Sequence, residues 1–364
     1  MNKFTSGSVS VKIGILTFHR AKNFGANLQA YALNEYICKQ NYNCEIVDFY
    51  PNNYGKQPVK IIRKILSKIK RLFIICKYRD IIKFNNFQSR NYILSPKKYY
   101  GDEDIMTNSP EYDILISGSD QIFNTTLTGN SKSFYLCFNN KAKKISYASS
   151  FGRTELSNEE YALINSELPK FSAISVREKS AGDIIEKETG KNSKLVLDPV
   201  FLLDSSEWNF KTSKKQRNKN YIFVYVMEVT ENLQRTVSAM AGKNNLPVYV
   251  LYGCSQHSGI DGVTIKNIGP EEFLGYLRSA SLVITNSFHG TAFSIIFKKR
   301  FVSVSHSTRN ARLKNLMTLI GEKDKLVSDN TDVFEAVVDG NTALSNITPY
   351  INASKEYLLD ALKI

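Results

Sequence analysis

The chain has 364 residues, of which 42% are hydrophobic and 23% are charged. This composition excludes disorder as the overall class, and the length exceeds the usual size of one domain. The formal net charge is +14, but most of it lies between residues 56 and 98, where thirteen Lys and Arg stand against one acidic residue, Asp80. The sequence is therefore that of a near-neutral globular protein with one strongly basic segment.

The first predicted elements form a βαβ unit. The apolar strand VKIGILTF leads into HRAKNFGANLQAYALNEYICKQ, where Asn23 and Gly25 predict a turn before a helix, and CEIVDFY predicts the second strand. Further strands are predicted at DILISG, KISYAS and AISV, with helices at NEEYALINSEL and EKSAGDIIEKE. Repeated units of this kind build a parallel doubly wound sheet. We expect a first domain over residues 1–205, with a basic helical insertion at about 56–98.

A second alternation follows the polar stretch SSEWNFKTSKKQRNKN, which has the composition of a linker. Its predicted elements are, in order, strand YIFVYVM, helix ENLQRTVSAMAGK, strand PVYVLY, helix PEEFLGYLRSA, strand LVITNS, helix GTAFSIIFK, strand FVSV and helix RLKNLMTLI. We expect the second domain at 218–335. The tail 336–364 is predicted as helices, the last of which, SKEYLLDALKI, returns to the first domain. The predicted fold class is α/β, with two Rossmann-like domains and a cleft between them.

The cysteines and the termini bear on the compartment. The five cysteines are odd in number and have no CxxC spacing, which favours buried thiols in a reducing compartment over disulfides or a zinc site. No signal peptide and no apolar run of about 18 residues is present, so we expect a cytoplasmic protein.

Polar turns after the strands mark the candidate site, because ligands bind at the carboxyl ends of parallel strands. Gly25 and Asn27 precede a helix whose first amides are a ready anion site, although a tight turn with an Asn cap is the alternative. Asp120 follows the strand YDILIS, beside the small residue Ser119. It is either a general base toward a substrate hydroxyl or a cap of the next helix.

Arg177 ends the strand FSAISV, and its planar fork suits a carboxylate or a phosphate. The alternative is an ion pair with Glu178 or another acid. The turn NSFHGT places His289 where a strand gives way to a helix, so that an imidazole stands beside a helix amino end. Its polar neighbours argue against an ordinary core histidine; the members of this turn are Asn286, Ser287, His289, Gly290 and Thr291.

The turn after the strand FVSV supplies His306, Arg309 and Arg312, the two arginines lying one helical turn apart. The predicted cleft thus collects an imidazole, several arginines, a carboxylate and helix amino ends, which suits a small, multiply charged anion. The sequence has neither a metal-ligand triad nor a phosphate loop of the Gly-x-x-x-x-Gly-Lys type, so we expect no metal and no cofactor.

The ordered segments NFGANLQAYAL, YDILISGSDQIFN, ISYASSFG, ISVRE, VLDPVFLL and SASLVITNSFHGTAFSIIFKKRFVSVS resemble the polysaccharide pyruvyl transferase family. The resemblance spans about Lys12 to Leu319. It implies a two-domain fold of the GT-B glycosyltransferase type. It also implies transfer of the enolpyruvyl group of phosphoenolpyruvate onto two hydroxyls of one sugar, with release of phosphate.

Carried over residue by residue, the strand-exit arginine of the family falls on Arg177 and its helix-entry histidine on His289. A further basic residue, lysine in some members, falls near Arg309, which leaves open whether Arg309 or Arg312 takes that role. The resemblance implies His289 as the acid that delivers a proton, Arg177 and Arg309 as clamps for phosphate and carboxylate, and Asp120 as a weaker candidate for the base.

The basic segment has an apolar stripe among Lys and Arg, recurring at three- and four-residue steps within 58–83. Such a helix suits an anionic bilayer surface. The resemblance gives this a purpose, because acceptors in the family are often lipid-linked sugars. The alternative is a helix that packs its apolar stripe on the core and exposes its basic face to solvent. Nucleic acid is not expected, because no binding module is recognised. Two other functions remain: a GT-B glycosyltransferase using a nucleotide sugar, and a peripheral membrane-binding protein on a degenerate enzyme fold.

Overall fold

The structure, a computed structural model, describes residues 11–52, 79–139, 141–208, 220–253, 258–307 and 310–364. The first domain contains a five-stranded sheet with the spatial order β3-β2-β1-β4-β5, and each neighbouring pair is parallel. Its strands are β1 (Lys12–Leu16), β2 (Asn43–Tyr50), β3 (Leu94–Tyr100), β4 (Ile114–Ser117) and β5 (Lys143–Ser146). The associated helices are α1 (Phe24–Lys39), α2 (Arg79–Asn91), α3 (Gly101–Thr107), α4 (Thr125–Thr128), α5 (Asn158–Glu167) and α6 (Lys179–Thr189).

The second domain repeats this topology, since its parallel sheet has the order β10-β9-β8-β11-β12. A small parallel pair, β6 (Ser175–Val176) with β7 (Lys194–Leu195), lies beyond the edge of the first sheet. The strands of the second sheet are β8 (Ile222–Val226), β9 (Val248–Tyr252), β10 (Val263–Ile265), β11 (Leu282–Thr285) and β12 (Phe301–Ser303). Its helices are α7 (Glu231–Asn244), α8 (Pro270–Ser279), α9 (Phe288–Ile296), α10 (Ala311–Leu319) and α11 (Gly340–Ala361).

The central strands are apolar because helices cover both faces of each sheet. In β1, the residues from Ile13 to Leu16 are buried, and Ile13 is in register with Cys44 of β2 and Ile114 of β4. All five residues of β8 are buried as well. A strand buried on both faces gives a continuous apolar run rather than an alternating one, which is the pattern that the sequence shows.

The expected basic insertion at 56–98 is wrong in its second half, where α2 and β3 belong to the first domain. Strand β3 pairs with β2, and its exposed lysines, Lys97 and Lys98, are typical of an edge strand. Helix α2 buries Phe84 and Phe87 in the core. The rest of the predicted insertion, 56–78, lies outside the described residues.

The tail forms one helix rather than the two that we expected. Helix α11 continues through Pro349, a residue that normally interrupts a helix because it has no N–H to donate. Its last turns contact the first domain: the Tyr357 hydroxyl donates to the Ser146 carbonyl at 3.0 Å, and Ser354 Oγ accepts from the amide of Leu197 at 2.9 Å. Among the described residues, no helix combines the length and apolarity that crossing a bilayer requires.

Aromatic side chains join the two domains in one core. Phe24 of α1 stacks on Phe273 of α8 with ring centroids 4.9 Å apart, and Phe273 also meets Tyr225 of β8 edge-on at 4.9 Å. Trp208, which we expected in a linker, is buried between Tyr31 of α1 and Phe293 of α9. The domains therefore share a packed apolar contact.

Truncation of this aromatic core is expected to destabilise the whole chain. Phe273 has no solvent-exposed surface, so Phe273→Ala removes apolar contacts and leaves a cavity, at a cost of about 3–5 kcal/mol. Urea unfolding followed by circular dichroism measures this. The exposed residue Ile93 supplies the control, because Ile93→Ala should change stability by no more than about 0.5 kcal/mol. Equal losses in the two variants would contradict the packed contact.

The strand order fixes where a ligand site lies. In each sheet the order reverses beside the first strand, between β1 and β4 in one domain and between β8 and β11 in the other. Loops leaving the carboxyl ends of such neighbours diverge and open a crevice, the usual ligand position in doubly wound sheets.

Candidate active site

The two crevices face each other and form one cleft of about 350 Å³ between the domains. This volume is at the small end of the range for ligand pockets, about 300–1,000 Å³. First-domain residues that line it include Phe18, Ala21, Asn23, Asp120 and Gln121, and second-domain residues include Tyr225, Asn286, Ser287, His289, His306 and Arg312. The cleft therefore brings together turns that are far apart in sequence.

Arg177 lies at the end of β6, and its side chain is almost completely buried below this cleft. Its guanidinium donates to Asp198 Oδ2 at 2.5 Å and to Asp120 Oδ1 at 3.4 Å, and it lies 5.3 Å from the Phe288 ring centroid. Burial disfavours the charged form, but the carboxylates of Asp198 and Asp120 outweigh it and raise the pKa of Arg177. The ion pair that we considered as the alternative does form, but with these aspartates rather than with Glu178.

Asp198 links this arginine to the histidine, and sequence reasoning missed it. It is buried at the start of a short 3₁₀ helix (Pro199–Leu202), where Oδ1 accepts from the Val200 amide at 3.1 Å. Its Oδ2 faces both Arg177 and the Nε2 of His289, the latter at 3.5 Å. Burial alone would raise the pKa of Asp198, but the imidazole and the guanidinium outweigh burial and lower it well below its ordinary value.

His289 lies in the first turn of α9, which Ser287 caps through its hydroxyl. Its Nε2 makes no hydrogen bond to any described residue, so the 3.5 Å approach to Asp198 is an electrostatic contact rather than an aligned hydrogen bond. The other ring nitrogen, Nδ1, faces Gly25 of the first domain: a Cβ atom added at Gly25 would lie 2.1 Å from it. First-domain residues thus flank both nitrogens of a second-domain imidazole.

Glycine is therefore required at position 25 because the His289 ring approaches this backbone closely, and not because a turn needs it. Helix α1 begins at Phe24 and is capped by Asn23, which accepts from the Ala26 amide at 3.0 Å, so Gly25 and Asn27 lie inside the first helical turn. This corrects our expectation that both residues precede the helix. The amide groups of this turn remain close to the cleft, since Asn23 and Ala26 line it.

Substituting Gly25 with alanine is expected to displace the imidazole while keeping α1. The added methyl cannot share the space of Nδ1, and alanine is a better helix former than glycine. A misplacement of about 1 Å at a reacting group can cost about 10²-fold in rate, so we expect a loss of that order in turnover. Overpacking of this buried contact costs about 1–3 kcal/mol of stability, part of which the higher helix propensity of alanine offsets. Gly242→Ala in α7, where an added Cβ meets nothing within 4 Å, is the matched control. Equal activity of the two variants would contradict the close contact.

Arg312 supplies a second cation at the cleft. Its guanidinium carbon lies 6.0 Å from the Phe288 ring centroid, so Phe288 has a guanidinium of each domain near it. Burial and then the charge of Arg177 lower the pKa of Arg312. An anion beside two arginines relieves their mutual repulsion, so the cavity next to them is a favourable site for anion binding.

Asp120 lines the cleft and has a left-handed backbone conformation, with φ at 80°. Such a conformation is uncommon for residues other than glycine and is often found at functional sites. Its Oδ1 accepts from the Gln121 amide at 2.9 Å and from Arg177. The carboxylate therefore faces the arginine and the cavity at once.

Several predicted substrate-binding residues instead hold the framework. Asn27 is buried and fully bonded, donating to two backbone carbonyls and accepting from Gln88 and Tyr92. Thr291 bonds Ser303, and Gly290 allows α9 to pack on Thr285. The buried Ser119 does not line the cleft, whereas Asn286 lines it but bonds the backbones of Met227 and Glu228.

The turn after β12 is only partly described. Arg309 lies outside the described residues, so its predicted role stays a prediction. His306 lines the cleft and forms an ion-pair contact with Glu228, its Nδ1 lying 3.1 Å from Oε2. Of the two arginines that the sequence left open, Arg312 borders the cavity.

The arrangement has a clear chemical capacity. Arg312 and helix amino ends can hold an anion, and the buried Arg177 adds positive charge beneath them. The imidazole can transfer a proton, and the buried Asp198 faces both the imidazole and Arg177. Charges in a partly desolvated cleft act more strongly than in water. The site thus suits group transfer from a small anionic donor.

Comparison with known proteins bears on family and fold. A family model described as polysaccharide pyruvyl transferase matches residues 23–308. No curated protein matches the chain significantly. Similar solved structures include a UDP-GlcNAc 2-epimerase from Methanocaldococcus jannaschii (12% identity, 97% of this chain and 99% of that chain covered, TM-score 0.51). They also include AviGT4, a glycosyltransferase involved in avilamycin A biosynthesis (9% identity, 96% and 97% covered, TM-score 0.51). At these identities the likeness shows the fold alone, and it confirms the expected GT-B arrangement of two Rossmann-like domains.

Proposed function

This chain belongs to the polysaccharide pyruvyl transferase family, and from that premise we propose that it uses phosphoenolpyruvate as donor. The proposed reaction moves the enolpyruvyl group onto two hydroxyls of one sugar, in a bacterial surface polysaccharide or its lipid-linked precursor, and releases phosphate. One observation carries the proposal: Arg312 and His289 border one small interdomain cleft, with the buried Arg177 beneath them. Phosphoenolpyruvate is a small anion with a phosphate and a carboxylate, and it needs both cations and a proton donor.

The chemistry assigns roles to these residues. Protonation of the methylene carbon makes the neighbouring carbon electrophilic, and a sugar hydroxyl then adds to it. We propose His289 as the acid for this step, with Arg177 and Arg312 stabilising the charge that develops on the departing phosphate. Asp198 keeps the imidazole and Arg177 in place. The proposal needs no metal or cofactor.

A coupled assay tests the proposal. The protein is incubated with phosphoenolpyruvate and a panel of glycan acceptors, and both phosphate release and acceptor mass are followed. We expect stoichiometric phosphate release and a pyruvate ketal on one acceptor. Consumption of a nucleotide sugar instead would replace the proposal by a GT-B glycosyltransferase, an activity that the fold likeness alone does not support. Membrane binding without turnover of either donor would favour the degenerate-enzyme alternative.

The membrane part of the proposal concerns the basic segment 58–83. We propose that the protein is cytoplasmic and associates with an anionic membrane through this segment, which would bring it to a lipid-linked acceptor. Its described end, 79–83, serves a different purpose, since Lys83 pairs with Glu272 of the second domain. Farther along the same helix, Arg90 pairs with Glu271. A deletion should therefore stop at residue 78. Unchanged sedimentation of that variant with phosphatidylglycerol vesicles would contradict the membrane role.

A further inference from the structure

A second cavity, of about 360 Å³, lies beside the cleft. Its first-domain wall is the segment Gly152–Glu155 together with Glu178, Ser180 and Ala181, and its second-domain wall is Ala311 and Arg312. We call it the side chamber. Arg312 lines both the side chamber and the cleft. A ligand in the side chamber therefore lies next to an anion held by Arg312.

Glu178 lines this chamber and has one carboxylate oxygen that lacks a hydrogen-bond partner within the described part of the chain. The residue is only 6% exposed, and its Oε1 accepts from the Ser150 hydroxyl at 2.6 Å. Its Oε2 is buried and has no hydrogen-bond partner among the described residues, and Arg312 approaches the carboxylate only to 4.0 Å. A buried acceptor without a donor costs free energy, so such atoms are rare in native proteins unless a ligand or water completes them.

We propose that the side chamber binds the acceptor sugar, and that Glu178 Oε2 is the base that takes the proton from the attacking hydroxyl. This inference rests on the proposed pyruvyl transfer and names its acceptor subsite. A sugar hydroxyl supplies the donor that Oε2 lacks. The hydroxyls of Thr154 and Ser180 line the same chamber and suit a neutral, polyhydroxylated ligand.

The charges in the chamber also favour a neutral ligand. Its other arginine, Arg153, is already engaged, with its guanidinium 2.8 and 2.9 Å from the two carboxylate oxygens of Glu160. The remaining charged groups that line the chamber are Glu155, Glu178 and Arg312. The anionic donor is therefore favoured in the cleft, and the uncharged sugar in the side chamber.

With these roles, every proton that His289 and Glu178 give or take in the reaction is accounted for. His289 gives a proton to the methylene carbon, and the first hydroxyl bonds to the neighbouring carbon as its proton moves to Glu178. Phosphate then leaves with its bridging oxygen and takes the proton from Glu178. The second hydroxyl bonds to the same carbon, and its proton returns to His289. Two hydroxyl protons are consumed, one in the new methyl group and one in hydrogen phosphate, and both side chains are restored.

Glu178 suits the role of base better than Asp120, our expectation from sequence. Both carboxylates lie near Arg177, but Asp120 Oδ1 already accepts from the Gln121 amide and from Arg177. Asp120 also lines the donor cleft rather than the side chamber. Apart from its place next to Arg177, no feature of the sequence pointed to Glu178 as a base.

The experiment compares Glu178→Gln with Glu186→Gln, the same substitution at an exposed site in α6, the helix that Glu178 directly precedes. Glutamine keeps an oxygen for Ser150 but is no base. For Glu178→Gln we expect turnover to fall at least about 10²-fold, while the affinity for phosphoenolpyruvate measured by calorimetry stays within about twofold. Wild-type turnover in Glu178→Gln would overturn the inference. Absence of transfer by the wild type would instead overturn the proposed function itself.

A second variant decides the matter if Glu178→Gln fails to fold. Thr154 is exposed at the chamber wall, so Thr154→Trp should fold and fill the chamber. We expect the KM for the acceptor to rise at least about tenfold while the KM for phosphoenolpyruvate is unchanged. An unchanged acceptor KM, or equal changes in both constants, would place the acceptor elsewhere.

Discussion

The His289→Asn variant is expected to lose at least about 10²-fold in turnover and to keep its fold. General acid catalysis by a positioned side chain contributes about 10²- to 10⁴-fold, and asparagine has no proton to give near neutral pH. Its amide fits within the space of the imidazole, at the position of Nδ1 rather than that of Nε2, and Asp198 keeps its hydrogen bond from Arg177 at 2.5 Å. We therefore expect thermal unfolding to change little. Steady-state phosphate release and circular dichroism give the two measurements.

The comparison variant for this experiment is His306→Asn. His306 lines the same cleft but is paired with Glu228, 3.1 Å away, and it lies farther along the chain in the turn after β12. If His306→Asn shows the larger loss, the acid must be reassigned to His306. Phosphoenolpyruvate binding should survive in both variants, because the arginines that we propose for the anion are unchanged. Near-normal turnover of His289→Asn would remove the proposed acid.

The sequence predicted the repeated strand-and-helix pattern because parallel strands buried on both faces are apolar throughout. Strands β3 and β10 were not predicted, because neither of them is apolar throughout. Strand β3 reads LSPKKYY, and its exposed lysines are features of a sheet edge rather than of a core strand. Strand β10 is only three residues long and partly exposed. We expected more than one helix in the tail, but packing against α9 and the first domain maintains the single helix α11 through Pro349.

The expectation that ligands bind at the carboxyl ends of parallel strands selected residues that lie close together in the structure, namely Arg177, Asp120, His289 and Arg312. This expectation failed for Asp198, because this residue follows the exposed two-residue strand β7 and is enclosed by apolar neighbours in VLDPVFLL. A buried aspartate in an apolar stretch is itself a signal, since an isolated charge is costly to bury and needs a partner. The role of Gly25 was equally hidden, because its neighbour His289 is 264 positions away.

Replacing Asp198 is expected to have the largest effect on stability within the site. Asp198 is fully buried, and Arg177, whose side chain is almost as buried, donates to it at 2.5 Å. Removing one partner of a buried ion pair leaves an uncompensated charge and costs about 3–5 kcal/mol. In Asp198→Asn, if the side-chain oxygen keeps its bond from the Val200 amide, the new NH₂ group faces the guanidinium, donor against donor. Asp120 remains near Arg177, so we expect a loss toward the lower end of this range.

The matched control is Asp204→Asn, the same substitution at another capping aspartate, which is exposed and accepts from the amides of Ser206 and Glu207. Asparagine caps about as well as aspartate, so this variant should lose less than about 1 kcal/mol. Urea unfolding at pH 7 measures both. Equal small losses of stability in the two variants would show that Asp198 does not compensate the buried charge of Arg177.

The pH dependence gives an independent test of the same ion pair. Because the pKa of Asp198 is lowered in the folded protein, its stabilising contribution is fully present above the ordinary aspartate pKa of about 3.9 and is lost as pH falls toward the lowered value. The stability gap between the wild type and Asp198→Asn should therefore persist down to about pH 4 and narrow only below it. If the stability difference between the two proteins already disappeared between pH 6 and pH 5, Asp198 would take up its proton in that range. The carboxylate could not then be the anion that holds Arg177 and His289 together at the domain interface.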